Sequence, residues 1–264
     1  MQCHKIAFIN GKGGCGKTTS IFHVSGVLAQ KNEKTLVIDF DKQMNSTDTL
    51  LMFNEDKPKL TMIDFMRGKT DLETIVRKAY FKSRENAAPK YYGVDVLPAD
   101  IRMEDESLLK KVDIKDELND FVEKNEYRWL LVDMPPSNKK INEICFSQIV
   151  DFVIVPFTCD VFSINGYNTI MNTVETARQY NPSLNIIGIY IARYNDKSLG
   201  DNYIKSKLEN FGDIFIDIQI PDKLDIRDSI IFGRPISFYK TFTQSRTAYE
   251  NLVAYIEKWI KQHR

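Results

Sequence analysis

Cysteine is scarce. Cys3, Cys15, Cys145 and Cys159 are scattered over 264 residues without a CxxC pair, which excludes a disulfide-framed small domain and a zinc finger or ribbon. The four are expected to be free, mostly buried thiols. Net charge is also absent: 36 Lys and Arg balance 36 Asp and Glu, so no global field draws the chain to nucleic acid, and any grip on phosphates has to come from a local patch. Long apolar runs are missing too. The longest, such as Phe152 to Phe157, are strand-sized and too short to cross a bilayer. The first residues lack the basic-then-apolar layout of a secretory leader, so a cytoplasmic setting is expected. There is no linker rich in Gly, Ser or Pro, no low-complexity tract and no fixed-period repeat. With 43% hydrophobic and 27% charged residues, the chain reads as a single globular domain over residues 1–264 with a sizeable core.

What the sequence does contain is alternation. Short β-branched runs recur at Ile6–Ile9, Leu36–Phe40, Val94–Pro98, Trp129–Asp133, Phe152–Pro156, Ile186–Ile191 and Ile214–Ile218, with helix-patterned stretches between most of them. These runs are apolar at nearly every position, as strands covered on both faces require. The expected fold is α/β, a mostly parallel twisted sheet with helices on both faces. Lys78 to Gly93 loses periodicity and gains polar residues, which predicts a surface loop.

Gly11-Lys12-Gly13-Gly14-Cys15-Gly16-Lys17-Thr18 fits GxxxxGK[ST]. It directly follows a predicted strand and opens a helix predicted from about Thr18 to Gln30, which is the context a phosphate-binding P-loop requires. Glycines let successive backbone N–H groups face a β-phosphate, and the helix N-terminus adds partial positive charge behind them. Lys17 is expected to bridge the β- and γ-phosphates and the Thr18 hydroxyl to hold Mg²⁺. Trp129-Leu130-Leu131-Val132-Asp133 is an apolar strand ending in a carboxylate, the pattern of a Walker B aspartate that binds Mg²⁺ through water.

At Lys12-Gly13-Gly14-Cys15-Gly16-Lys17-Thr18-Thr19 the sequence resembles the ParA/MinD family of deviant Walker A P-loop NTPases, in which a signature lysine precedes the glycine pair; Lys12 matches it. The resemblance continues through Val37 to Thr47, Val132 to Ser137, Gly188 to Asn195, Ile220-Pro221 and Phe232 to Pro235, nearly the whole chain. It is strongest toward ParA partition ATPases without an N-terminal DNA-reading domain. The resemblance implies ATP and Mg²⁺ as cofactors, with Gly11, Lys12, Gly13, Gly14, Cys15, Gly16, Lys17, Thr18 and Thr19 forming the nucleotide loop. It also implies a homodimer with ATP sandwiched at its interface, where Lys12 reaches the partner's phosphates as an arginine finger does in trans. Asp41 aligns with the aspartate placed near the attacking water. Asp39 either supports the Mg²⁺ site, with Thr18 and Asp133, or caps the next turn. Arg193, Pro221 and Asp222 are candidates for the adenine pocket, and no guanine-reading tetrapeptide follows a late strand.

The implied function is segregation or positioning of plasmid or chromosomal DNA or other cargo, through nonspecific DNA binding and weak hydrolysis stimulated by a ParB-like or other partner. Localisation would then be cytoplasmic and nucleoid-associated. Two departures bear on this: Lys42 replaces the usual proline after Asp41, and Asp225 stands where DNA-binding relatives commonly carry a basic residue. Arg227 and Lys223 are possible substitutes. From Ser229 onward, Arg234, Lys240, Arg246, Lys258, Lys261 and Arg264 outnumber Glu250 and Glu257, which predicts a basic patch for phosphates. Tyr249, Leu252, Val253, Ile256, Trp259 and Ile260 recur at helical spacing, either packing on the sheet or, as an alternative, meeting a membrane surface as in MinD. A metabolic or redox enzyme on the same fold is the third reading. An iron–sulfur version of it is disfavoured because no cysteine lies between Cys15 and Cys145.

Overall fold

The strands β1 (His4–Phe8), β2 (Thr35–Asp39), β3 (Arg77–Phe81), β4 (Lys90–Leu97), β5 (Trp129–Asp133), β6 (Phe152–Phe157), β7 (Asn185–Tyr194) and β8 (Phe215–Pro221) form one sheet. Their order is β3-β4-β2-β5-β1-β6-β7-β8. The structure is a computed structural model that describes residues 2–55, 58–109, 113–159, 171–172, 174–179 and 181–263. Every neighbouring pair is parallel except β3 with β4, so the fold is the mostly parallel α/β sheet expected. The chain leaves β1 on one side for β2 and crosses to its other side between β5 and β6. The switch point of this open sheet therefore falls at the carboxyl end of β1, where ligands of such sheets bind.

The continuous apolar runs are explained by two cores, one on each face. Along β1 and β5, Ala7, Leu130 and Val132 point into one core and Ile6, Phe8, Trp129 and Leu131 into the other. The second core is covered by α1 (Lys17–Gln30) and by the C-terminal helix Gln244–Gln262. That terminal helix buries Tyr249, Leu252, Val253, Ile256 and Ile260, and Trp259 meets Phe152 edge-on at 5.9 Å. Its apolar stripe is thus used against the sheet, which removes the surface that the membrane alternative needs. No helix among the described residues is long and apolar enough to cross a membrane.

Two expectations are corrected. Lys78 to Gly93 is not a surface loop: β3 and β4 pair antiparallel from Lys90 to Val96, and only residues 82–89 connect them. The pattern here has period two. Ala79, Phe81, Val94 and Val96 enter the second core, while Lys78 and Lys90 between and beside them stay exposed. That is the signature of an edge pair covered on one face, and it looks aperiodic beside fully apolar interior strands. The C-terminal basic patch is also smaller than its count. Arg234 is buried and donates from Nη2 to the carbonyls of Phe238 and Tyr239 at 2.9 and 3.3 Å. Arg246 donates to Glu250 Oε1 at 2.7 Å and to the Ser237 carbonyl at 3.0 Å. These two arginines close turns and pin the terminal helix, because a guanidinium can satisfy several carbonyls at once. Lys240, Lys258 and Lys261 remain exposed, and Arg264 lies outside the described residues.

Candidate nucleotide-binding site

The loop between β1 and α1 curls because two of its glycines take left-handed dihedrals, Gly14 at φ 74° and Gly16 at φ 92°, which cost a side-chain-bearing residue roughly 1–2 kcal/mol. At Gly16 a Cβ would also come within 3.2 Å of Ala192 Cβ, so the close approach of β7 adds a second reason for glycine. Asn10 sets the start of the loop: its Nδ2 donates to the Pro156 carbonyl at 2.8 Å and its Oδ1 accepts from the Lys12 N–H at 2.9 Å. Nothing in the sequence reading had singled Asn10 out.

Lys17 is the first residue of α1 and is buried. Its ammonium makes only long contacts, to the Asn10 and Lys12 carbonyls at 3.4 and 3.5 Å and to Cys15 Sγ at 3.9 Å. Among the described residues it makes no ion pair, although its charge acts on nearby Asp133, so it remains available to an incoming anion. Burial pushes the Cys15 thiol up, with Lys17 opposing, so this cysteine is a packed thiol and not an activated nucleophile.

A cavity of about 740 Å³ opens over the loop, within the range of small-molecule sites. Of the residues expected at the site, Gly13 to Thr19, Asp41, Arg193, Pro221 and Asp222 line it. Gly11 and Lys12 are exposed and do not line it, and Asp39 and Asp133 lie buried beneath. Asp222 sits at the rim between Arg193 Nε and Arg227 Nη2, each 3.8 Å from its Oδ1. Arg193 itself is left-handed, at φ 58°, an unusual conformation for a side-chain-bearing residue and one often found at ligand sites.

Beneath the loop, β2 and β5 end in register, so that Asp39 pairs with Asp133 across the sheet. Thr18 Oγ1 and Ser46 Oγ each donate to Asp133 Oδ2 at 2.7 Å. Asp133 Oδ1 is buried and has no hydrogen-bond partner among the described residues. Asp39 is fully engaged: Oδ1 accepts from the Asp41 N–H at 2.9 Å, and Oδ2 accepts from the N–H and hydroxyl of Thr47, both at 2.8 Å. These bonds hold the turn and fix the segment that carries Asp41 into the cavity. Burial raises both carboxylates above the usual range; the neighbouring Asp133 charge adds to the rise at Asp39, and the Thr18 and Ser46 hydroxyls oppose it at Asp133.

These residues fit a magnesium ion. An unpartnered buried carboxylate oxygen beside a threonine hydroxyl is a hard-oxygen pair with spare acceptor capacity. No group of three or more His, Cys, Asp or Glu suited to a metal occurs among the described residues, and Mg²⁺ typically relies on one or two protein oxygens plus phosphates and water. Ser46 was missed by sequence reading. Its only signal was its place between Asp39 and Thr47 in the second family-like stretch.

A protein-family model described as an AAA domain, AAA_31, matches residues 3–186, more than half of the chain. The chain belongs to that family and is a ParA/MinD-type P-loop ATPase. The chromosome partitioning protein ParA of Caulobacter vibrioides is 28% identical over 257 residues, covering 94% of this chain and 91% of its own length. The chromosome-partitioning ATPase Soj of Treponema pallidum is 28% identical over 255 residues, covering 94% of each. Among solved structures, cobyrinic acid a,c-diamide synthase from Mycobacterium smegmatis with bound ADP and magnesium aligns with a TM-score of 0.78. It is 19% identical, over 100% of this chain and 97% of that one, which speaks to the fold alone.

Proposed function

We propose that this ParA/MinD-type ATPase is a positioning ATPase that pairs into an ATP-sandwich dimer, binds DNA without sequence preference, and is released when a ParB-like partner stimulates hydrolysis. The observation that carries this reading is the division of labour between two loop lysines. Lys17 is buried and lines the phosphate cavity, whereas Lys12, five residues earlier, is exposed and does not line it. A lysine that served only its own subunit's nucleotide would be expected to point inward like Lys17. An exposed Lys12 that does not line the cavity suits phosphates presented by a second subunit, which also accords with the partitioning relatives.

Within one subunit the loop amides and Lys17 would hold the β- and γ-phosphates, and Thr18 and Asp133 would hold magnesium, with Ser46 steadying Asp133. Magnesium held there would supply electrostatic stabilisation of phosphate charge. Asp41 orients the attacking water, its loop fixed by the three hydrogen bonds to Asp39. Arg193, Pro221 and Asp222 bound the far end of the cavity, where the base would lie. Lys12 from the partner then makes the approach of two like-charged nucleotides tolerable and stabilises the transferring phosphoryl group.

Light scattering with ATP and Mg²⁺ on an Asp41→Ala background tests this. The expected result is a doubled mass for Asp41→Ala alone and a monomer when Lys12→Ala is added, with ATP affinity retained in both. A Lys12 variant that still doubles in mass sinks the trans-acting role.

A further inference from the structure

The β3–β4 edge carries a cluster of positive charge that no ion pair among the described residues balances. Between Arg77 and Gly93 stand Arg77, Lys78, Lys82, Arg84 and Lys90 against Glu85 alone, in a chain whose formal net charge is zero. None of these five cations takes part in an ion pair among the described residues. Several cations elsewhere are paired, Arg102 with Asp64 and Asp100, Arg246 with Glu250 and Lys124 with Glu73; the hairpin stands out because five cations lie within one short segment. Unbalanced like charges crowded on one hairpin repel one another, a cost that a polyanion would relieve.

The surface is open and remote from the nucleotide. β3 is the outermost strand, and the turn at 82–89 precedes β4, at the end of the sheet opposite the P-loop. None of the five residues lines the nucleotide cavity. On the face away from α1, Arg77, Lys78 and Tyr91 of the hairpin join Lys34 and Tyr127 around a separate cleft of about 680 Å³. Lys34 Nζ lies 4.8 Å from the centre of the Tyr127 ring, and Lys78 Nζ 5.1 Å from that of Tyr91. The one carboxylate there, Asp95, is buried and takes the Tyr91 and Tyr127 hydroxyls at 2.9 and 2.7 Å.

We propose that this hairpin, with Lys34 across the cleft, binds the phosphate backbone of duplex DNA and reads no bases. The proposal rests on the DNA-positioning function above and names its surface. Lysine and arginine interleaved with tyrosine is the composition of a backbone-contacting surface. Arg77 Nη1 donates to the Thr74 and Val76 carbonyls at 2.8 and 3.0 Å and Lys34 Nζ to the Asn125 carbonyl at 2.6 Å, so Lys78, Lys82, Arg84 and Lys90 carry most of the charge on offer. A charged edge also resists strand addition. That need is met on β3 itself, whereas Arg84 and Lys90 extend the charge through the turn and onto β4.

The test measures binding of the full chain, with ATP and Mg²⁺, to a fluorescent duplex of random sequence across a salt series. Lys78→Gln/Arg84→Gln/Lys90→Gln should bind at least about tenfold more weakly at 0.1 M salt and flatten the slope of log affinity against log salt by about 2–3. ATP turnover and thermal unfolding should match the unsubstituted chain. Arg84→Gln alone, in the connecting turn, should flatten the slope by about 0.9, which covers the case of a misfolded triple variant. Lys258→Gln/Lys261→Gln should change nothing. If the unsubstituted chain binds DNA while the hairpin variants bind equally well, or the C-terminal pair takes the loss, the hairpin proposal is overturned and the DNA-positioning function stands. If the unsubstituted chain hydrolyses ATP yet binds no duplex, that function fails as well.

Discussion

The two ends of the central strands both bury a carboxylate against a pair of hydroxyls, and they do so to different effect. At the carboxyl end, Asp133 takes Thr18 and Ser46 on one oxygen and leaves the other buried without a partner among the described residues. Those hydroxyls belong to α1 and to the segment after β2, outside the strand that carries Asp133. At the opposite end, Asp95 takes two phenols that project from β4 itself and from the residue two before β5. The first arrangement keeps acceptor capacity for a cation. The second is a clasp that ties β4 to the segment leading into β5, across the intervening β2, and stabilises without reacting. A buried carboxylate is therefore a weak sign of function by itself; what matters is whether its oxygens are used up.

Substitutions at the two ends should separate along that line. Asp133→Asn keeps shape and hydroxyl contacts but removes the charge facing the metal, and should lower ATP turnover by about 10²–10³-fold with little loss of stability; turnover near that of the unsubstituted chain would break the contrast. Ser46→Ala leaves Asp133 with Thr18 alone, and the expected cost is about tenfold in the Mg²⁺ concentration needed for half-maximal turnover. At the other end, Asp95→Asn weakens two charge-assisted bonds and should lower unfolding free energy by about 1–2 kcal/mol in urea titrations. Its turnover should be unaltered, and a fall in turnover would mean that the two ends communicate.

The smallest effect belongs to neither end and serves as a control for global stability. His23, in α1, is fully buried; its Nδ1 accepts the Ile236 N–H at 3.1 Å, and burial pushes its pKa down to about 3. In the unfolded chain it titrates near its ordinary ~6.5. Between those values the unfolded state binds the extra proton, so stability is fully present above about pH 6.5 and is lost as pH falls toward 3. The contribution lost from pH 7 to pH 6 is roughly 0.7 kcal/mol. His23→Asn should remove that part of the pH slope without moving the pH dependence of turnover at the Asp133 end, as paired melts and rate profiles at both pH values would show.

How much of this was legible in sequence depended on distance along the chain. The P-loop, with Lys17 and Thr18 after a strand and opening a helix, follows from local spacing, because phosphate binding there is a property of consecutive backbone amides. The interior strands followed from their unbroken apolar runs. The β3–β4 pair did not, since its half-covered alternation is diluted by lysines and tyrosines and its partner strand lies across an eight-residue turn. The basic count at the C-terminus misled for a related reason: composition records charge, not where a guanidinium points, and Arg234 points at carbonyls.

By itself, then, the sequence determined the parallel α/β sheet, the nucleotide loop and the carboxylate-ended strand beside it, since each rests on residues within a turn or a strand of one another. Only the tertiary structure decided that Ser46 meets Asp133 from 87 positions away and Thr18 from 115. It alone decided that Asp39 holds the Asp41 segment, that Ala192 closes on Gly16, and that unpaired cations gather on the outer hairpin. Those contacts depend on the order in which strands pack side by side, and no periodicity along the chain encodes that order.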